Sequence, residues 1–340
     1  MQVPIKQSGE LVSRQQGEES RPNSSPLRIS VPPNLKSKKN YGDFIFKHFT
    51  LLFAFFVFSL VFLMAYEMYR GSHESIVKFG WKFLIGTTWD PVQDEYGALP
   101  FIYGTVVSSL LALAIAIPLG IGVAVLLAEL APRWLALPIG FIVELLAAIP
   151  SIVYGLWAVF VLVPWIRLSV EPWLSKSLGF IPLFKGAPYG FGMLAAGLVL
   201  AIMILPIIIS ISRDVLKAIP NTLREASLAL GATKWETTKI VLSAAKSGIF
   251  GAALLGLGRA VGETMAVTMV IGNRPDISLS LFNPAYSMAS VIANEFTEAT
   301  SDMYISSLTE IALILFGVTI ILNALARLII WSTTKKFKTT

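Results

Sequence analysis

The chain has 340 residues, 55% of them hydrophobic and only 14% charged, against about a quarter charged in soluble domains. With no cysteine and two histidines, it excludes disulfide frameworks, thiolate metal sites and a histidine-built zinc site. Its formal net charge of +6 follows from where Lys and Arg fall around apolar runs, and needs no nucleic acid to explain it.

Residues 1–48 read as a cytoplasmic N-terminal segment. The first forty are rich in Ser, Pro, Gln and Lys and lack apolar periodicity, which fits a disordered tail or a basic strip lying on anionic lipid. The apolar run that follows sits too far from the N-terminus for a cleavable signal and reads as a retained anchor. Six spans are predicted, at about 49–69, 101–129, 136–164, 189–212, 246–273 and 307–332. No Asp, Glu, Lys or Arg occurs from Tyr96 to Ala128, from Leu145 to Ile166 or from Gly186 to Ser212, and about 20 apolar residues suffice to cross a bilayer. The expectation is an all-α integral membrane protein: a six-helix permease domain over 49–333 with a cytoplasmic tail at 334–340.

The basic residues set the orientation. With the N-terminus inside, inner segments carry the eight of the preface, Arg133, six between Arg213 and Lys246, and four from Arg327 onward. The outer loops hold Arg70, Lys78, Lys82, Arg167, Lys176, Lys185 and Arg274. Both termini are therefore predicted cytoplasmic, in a multi-pass cell (inner) membrane protein. Outer-loop aromatics (Trp81, Trp89, Trp165, Trp173, Tyr189, Tyr286, Tyr304) suit interfacial belts, or a surface for an external partner.

Within the spans, Gly120 and Gly122 suggest packing positions. Glu144 in span three can partner Arg133 by snorkelling or line a path. Pro150 and Gly155 should kink that span, and Glu310 and Arg327 fall near the ends of span six, where the interface accommodates charge.

Between spans four and five, residues 221–245 read as helix, corner, helix. Asn221 is a candidate N-cap, Gly231 suits the left-handed C′ position, and Thr233 with Glu236 forms a T-x-x-E capping box. Leu228, Leu230 and Trp235 would be uncomfortable in water, so the segment either lies on the bilayer or docks on a protein. Glu225-Ala226-Ser227, three residues, Gly231 and later Ile240-Val241-Leu242 resembles the EAA motif of ATP-binding cassette importer permeases, whose helix inserts into a cytoplasmic ATPase. The match departs at Ser227, at Ser243 where proline is usual, and in a Gly-to-Ile interval one residue short.

Span five contains Arg259 and Glu263, four residues apart and so on one helical face. Lipid exposure of either costs roughly 2.5–3.5 kcal/mol, so they are predicted to pair and face the protein interior or an aqueous path. The pair is either a structural lock between helices or an anion contact, since guanidinium matches oxyanions bidentately. Gly258 and Gly262 have GxxxG spacing for close helix approach. No GxxxxGK[ST] loop occurs, so ATP hydrolysis by that route is not expected of this chain, and no catalytic centre, metal or cofactor is predicted.

Gly256–Asn273, GLGRAVGETMAVTMVIGN, is similar to the fifth-span signature of phosphate importer permease subunits of the PstC type. AIPSIVYGLWAVF (Ala148–Phe160) and MASVIANEFTEA (Met288–Ala299) support the likeness, which covers about 50–333. The resemblance implies the type I importer permease fold, with phosphate as cargo. It implies a PstA-like second permease subunit, two ATP-binding subunits and an extracytoplasmic phosphate-binding protein as partners in the lipid bilayer. Arg259 and Glu263 carry over as transport-critical, and Glu225, Ala226, Gly231 and Trp235 as ATPase-coupling. Rival readings keep the architecture for sulfate or molybdate, or make Arg259–Glu263 a proton-linked pair in a secondary transporter.

Overall fold

The computed structural model describes residues 41–335; the predicted character of residues 1–40 and 336–340 lies outside them. The chain divides at Val57–Phe58, and every contact discussed below lies within Phe58–Thr340. Helix α1 (Tyr41–Gly71) is followed by short α2 (His73–Phe79) and α3 (Lys82–Ile85) and by the hairpin β1 (Trp89–Asp90)–β2 (Glu95–Tyr96), with Trp89 opposite Tyr96. Then come α4 (Leu99–Val125), extended by a π-helical turn to Leu130, and α5 (Arg133–Ala147). Helices α6 (Ser151–Trp157), α7 (Val163–Trp165) and α8 (Glu171–Leu178) are joined by π-helical turns into one rod, Ser151–Leu178. The remainder comprises α9 (Met193–Ala218), α10 (Asn221–Ala229), α11 (Lys234–Val261), α12 (Met265–Val270), α13 (Met288–Glu295) and α14 (Asp302–Lys335). Thr334 and Lys335, assigned to the tail from sequence, thus still belong to the last helix. Six of the described helical segments are long and apolar enough to cross a membrane.

The core is built around α9, which packs along α4 and α11. On α4 a stripe of small residues at four-residue spacing, Ser108, Ala112, Ala116, Gly120 and Ala124, is wholly buried, letting the two backbones approach. Ile208 lies against Gly120, and Leu111 against Gly197, so an added methyl at either glycine would collide. These contacts advance together along both helices, so α4 and α9 run parallel. Gly256 meets Ile204 and Ile208 while Gly248 meets Val215, which makes α11 antiparallel to α9. Buried hydroxyls at the start of α4 bond to their own helix: Thr105 Oγ1 donates to the Phe101 carbonyl at 2.8 Å and Ser108 Oγ to that of Gly104 at 2.7 Å.

At the hairpin end, Trp89, Tyr96, Phe101 and Tyr304 form an aromatic cluster, the Trp89 ring centroid 4.8 Å from those of Tyr96 and Phe101. Glu295 accepts from Trp89 Nε1 at 2.8 Å and from the Tyr304 hydroxyl at 2.7 Å. Burial, reinforced by Asp94, pushes the Tyr96 phenol up to about 12, and burial also raises Tyr286, so both stay neutral at physiological pH. Of the aromatics predicted for belts or a partner surface, Trp81, Trp165, Trp173 and Tyr189 are exposed. Tyr286 is buried instead, and Trp89 and Tyr304 are drawn inward by Glu295.

Two predicted spans are broken. The third is interrupted at Ala148–Pro150, where proline supplies no N–H and disfavours helical geometry at Ile149. Its second half runs on to Leu178, well beyond the predicted end at 164. The fifth starts at Lys234 rather than 246, because the amphipathic second helix of the polar segment continues into it without interruption, and it breaks at Gly262–Thr264. The two breaks face each other: Gly155 of α6 rests against the Ala266 backbone and Met269.

Two charge placements differ from expectation. Glu144 pairs with Arg213 at 2.9 Å, not with Arg133; Gly140 leaves room for the Arg213 guanidinium to cross α5. Glu310 is buried, not interfacial, because α2 packs over α14 there. Ser75 N donates to Ser306 Oγ at 3.1 Å and Ser307 Oγ to Ser75 Oγ at 3.2 Å.

A methyl group on Gly104 would run into the Tyr286 carbonyl, whereas one on Gly122 meets nothing within 4 Å. Both substitutions gain up to about 1 kcal/mol of helix propensity. Gly122→Ala should therefore leave or raise the thermal midpoint of the detergent-solubilised chain. Gly104→Ala should lower it, with a net cost of about 1–3 kcal/mol from overpacking.

Candidate functional site

Helix α11 presents Leu255, Arg259 and Gly262 outward along one stripe, with half-exposed Gly258 between them. Its opposite face, carrying Gly256, Ala260 and Val261, is buried. Arg259 is exposed, and among the described residues no carboxylate lies within 4 Å of it. Glu263 is only 8% exposed, and its Oε1 accepts from the Ala266 backbone N–H at 3.3 Å, capping the start of α12. The predicted Arg259–Glu263 ion pair is therefore not formed. Helix α11 ends at Val261, and Glu263 turns inward to serve the next helix instead of lying on the Arg259 face.

The predicted close approach at Gly258 and Gly262 is not made: α14 faces them across grooves lined by Thr319, Leu322 and Asn323 at Gly258 and by Leu315 and Phe316 at Gly262. Nothing lies within 4 Å of a methyl at Gly258, and only the Gly258 carbonyl, at 3.6 Å, faces Gly262. Gly256, two residues away on the buried face, takes the packing role against α9. Arg259 lies within electrostatic reach of Tyr154, whose hydroxyl donates to the Leu146 carbonyl at 2.8 Å across the break in the third span. The result is an unpaired guanidinium on the exposed face of α11, beside two helix breaks. Among the described residues no acidic or histidine cluster is arranged to hold a metal ion.

The polar segment folds as predicted in outline. Gly231 adopts φ +83° with open space around it. The Thr233–Glu236 capping box is complete: Thr233 N donates to Glu236 Oε2 at 2.8 Å and Glu236 N to Thr233 Oγ1 at 3.3 Å. Asn221 is the first helical residue of α10 rather than its cap, and its Oδ1 accepts from Arg224 at 3.2 Å. Glu225, Ala226 and Gly231 are exposed, as are Leu228, Leu230 at 90% and Trp235. Every residue assigned to coupling thus faces away from the helices.

Arg224 is the residue that sequence reasoning missed. Its Nη2 and Nε donate to Glu129 Oε1 and Oε2 at 2.7 and 3.1 Å. The same guanidinium donates to the carbonyls of Leu216 at 2.8 Å and Ile219 at 2.7 Å. One side chain so joins α10 to the end of α4 and to the last carbonyls of α9, where a cation is favoured. The Glu129 carboxylate raises the Arg224 pKa further above an already high value, so the link stays ionised.

The family of binding-protein-dependent transport system inner membrane components matches residues 116–333. The phosphate transport system permease protein PstC of Mesorhizobium japonicum is 48% identical over 290 residues, covering 84% of this chain and 89% of that protein. Those of Pasteurella multocida and Haemophilus influenzae are 47% and 46% identical over 86% and 87% of this chain, and 93% and 96% of their own. A chain from inward-facing structures of the MetNI methionine ABC transporter superposes with a TM-score of 0.53 at 18% identity, over 72% of this chain and 99% of its own. It shows the type I permease fold and nothing of cargo.

Removing Arg224 leaves Glu129, whose side chain is only 7% exposed, without its counter-charge. Arg224→Gln should lower the local opening free energy of α10 by about 3 kcal/mol. Hydrogen exchange of the 221–230 amides would then rise roughly a hundredfold while those of mid-α9 hold. Lysine keeps the charge but cannot form the fork, so Arg224→Lys should fall between the parent and Gln.

Proposed function

The chain belongs to the family of binding-protein-dependent transport system inner membrane components, and on that footing we propose that it is the channel-forming permease subunit of an ATP-driven phosphate importer. The observation that carries the reading is the unpaired, exposed guanidinium of Arg259 at a helix break in the fifth span. A cation there is costly against lipid, so its exposed stripe is read as facing a second, PstA-like permease subunit across a polar path. Phosphate, a tetrahedral oxyanion, suits bidentate contact with that guanidinium, and the name shared by the relatives points to the same cargo.

In this reading both termini and α10 are cytoplasmic, and the hairpin end faces a phosphate-binding protein outside. Glu225, Ala226, Gly231 and Trp235, with Leu228 and Leu230, form the apolar-and-acidic tip that enters one of two ATP-binding subunits. Burial in that partner removes the exposure of Leu230 and Trp235 that water would penalise. Glu263 holds the break open by capping α12, leaving Arg259 without an internal competitor for the anion. The proton-linked alternative needs Arg259 and Glu263 in contact, and they are apart.

The test is inward phosphate flux in vesicles containing the chain with its second permease, ATPase and binding protein, with sulfate as competitor. Arg259→Gln should lower flux at least tenfold, and Arg259→Lys should lower it as well because the fork is lost. Undiminished transport by the lysine variant would rule out bidentate contact. Glu263→Gln keeps an acceptor for the Ala266 N–H and should retain most of the flux. Leu230→Asp should abolish co-purification with the ATPase while leaving the permease pair intact. Equal inhibition by sulfate would shift the cargo to oxyanions in general.

A further inference from the structure

A cavity of about 570 Å³ opens between the π-helical end of α4, helix α5 and the last turns of α9. Its lining includes three cations, Arg133, Arg213 and Lys217, and one acid, Glu144. Arg213 is already committed, to Glu144 at 2.9 Å and Asp214 at 3.2 Å. Arg133 and Lys217 are exposed, and among the described residues neither side chain has an ion-pair or hydrogen-bond partner. The cavity therefore presents two uncommitted positive charges with no free acid beside them.

The rest of the wall has a different chemistry. Arg133, Leu137 and Phe141 follow one another at four-residue intervals, so they share one face of α5 over about 12 Å. Leu137 is 71% exposed and Phe141 61%. A cation at one end of a bare apolar stripe, with a second cation opposite, is an amphiphilic site. A soluble anion would use the charges and gain nothing from Leu137 and Phe141, whereas a lipid uses both. The place also fits, since basic pockets at the ends of spans suit anionic headgroups and this end of α4 and α9 is the one that carries α10.

We propose that this cavity binds an anionic phospholipid from the leaflet on the α10 side. Its phosphate would be held by Arg133 and Lys217 and an acyl chain laid along Leu137 and Phe141. The lipid would occupy the same turns of α9 whose carbonyls Arg224 caps, bracing the junction through which α10 is attached. The site is separate from Arg259 and does not depend on the cargo assigned above.

The experiment is native mass spectrometry of the full chain in detergent, titrated with phosphatidylglycerol and, in parallel, with phosphatidylcholine. The Arg133→Gln/Lys217→Gln double variant should retain one phosphatidylglycerol fewer, with affinity at that site lowered tenfold or more and phosphatidylcholine retention unchanged. Neither side chain holds anything within the described chain, so the variant should keep the parent's thermal midpoint in detergent alone and lose only the increase that phosphatidylglycerol gives. A charge-preserving Arg133→Lys/Lys217→Arg variant should keep the lipid. Identical retention by parent and double variant would overturn the proposal, as would equal loss of both lipids. Displacement of the lipid by millimolar inorganic phosphate would overturn it too, marking a site for soluble anions.

Discussion

The close approach of α4 to α9 is the constraint on which the remaining contacts depend. Helices in a bilayer gain little from burying apolar surface, since lipid is equally apolar, so association rests on packing and polar contacts. The buried stripe Ser108–Ala112–Ala116–Gly120–Ala124 supplies that packing by removing side-chain bulk, and Ile208 and Leu111 fill the grooves left by Gly120 and Gly197. Both ends of the helix pair are then secured by a different chemistry. At one end Gly104 admits the Tyr286 backbone, and Thr105 Oγ1 accepts from Met288 N at 2.8 Å. At the other, the carboxylate of Glu129 beyond α4 and the last carbonyls of α9 meet in the Arg224 guanidinium. Arg224 can bridge them only because the two helices run parallel and end together.

Against that fixed pair stand two interrupted helices. Broken backbone at membrane depth survives only where protein or a water-filled cavity satisfies it. Here α6 and α12 cover each other next to their breaks, with Gly155 against Ala266. Glu263 satisfies one of the freed N–H groups of α12, which explains a buried acid without a cationic partner: it is engaged as a cap. Arg259 is thereby left alone on the outer face. The two charges looked like a pair in sequence and have separate duties in the fold.

Much of this was legible in the sequence, for identifiable reasons. Composition and uncharged runs located the spans, because bilayer thickness fixes a minimum length for each. The glycine corner and the Thr233–Glu236 box were legible because capping is decided within four residues. Contacts between distant residues were not: Glu129 and Arg224 are separated by 95 positions, and nothing local marks either as a partner. Glu144 was given the nearer arginine, Arg133, when the vacancy above Gly140 favoured Arg213. Glu310 was read from its place near a span end, but α2 folds over it. Trp89 and Tyr304 were assigned to belts or a partner surface by residue type, and Glu295 draws both inward.

The continuity of α11 joins features that seemed separate in sequence. The capping box that closes the corner at Gly231 also begins the helix that ends two residues after Arg259. From Lys234 to Arg259 that helix rises about 38 Å at 1.5 Å per residue, with no proline inside it. A helix of that kind transmits a tilt at one end as a displacement at the other. The corner is closed by local backbone bonds, Gly231 N to the Leu228 carbonyl at 2.9 Å and Ala232 N to that of Ser227 at 3.1 Å, while α10 is held to the α4–α9 pair by Arg224. A push on Trp235 and Leu230 therefore divides into two paths. One passes through Arg224 into the fixed pair, and the other runs along α11 to the guanidinium that stands where the path is proposed to lie. Relative motion between those two paths is what would bring Arg259 toward or away from an anion. The two paths also touch where Val241, Ala245 and Ile249 of α11 pack with Ala124 and Val125 of α4 and Leu216 of α9, so such motion has to slide α11 over that buried contact.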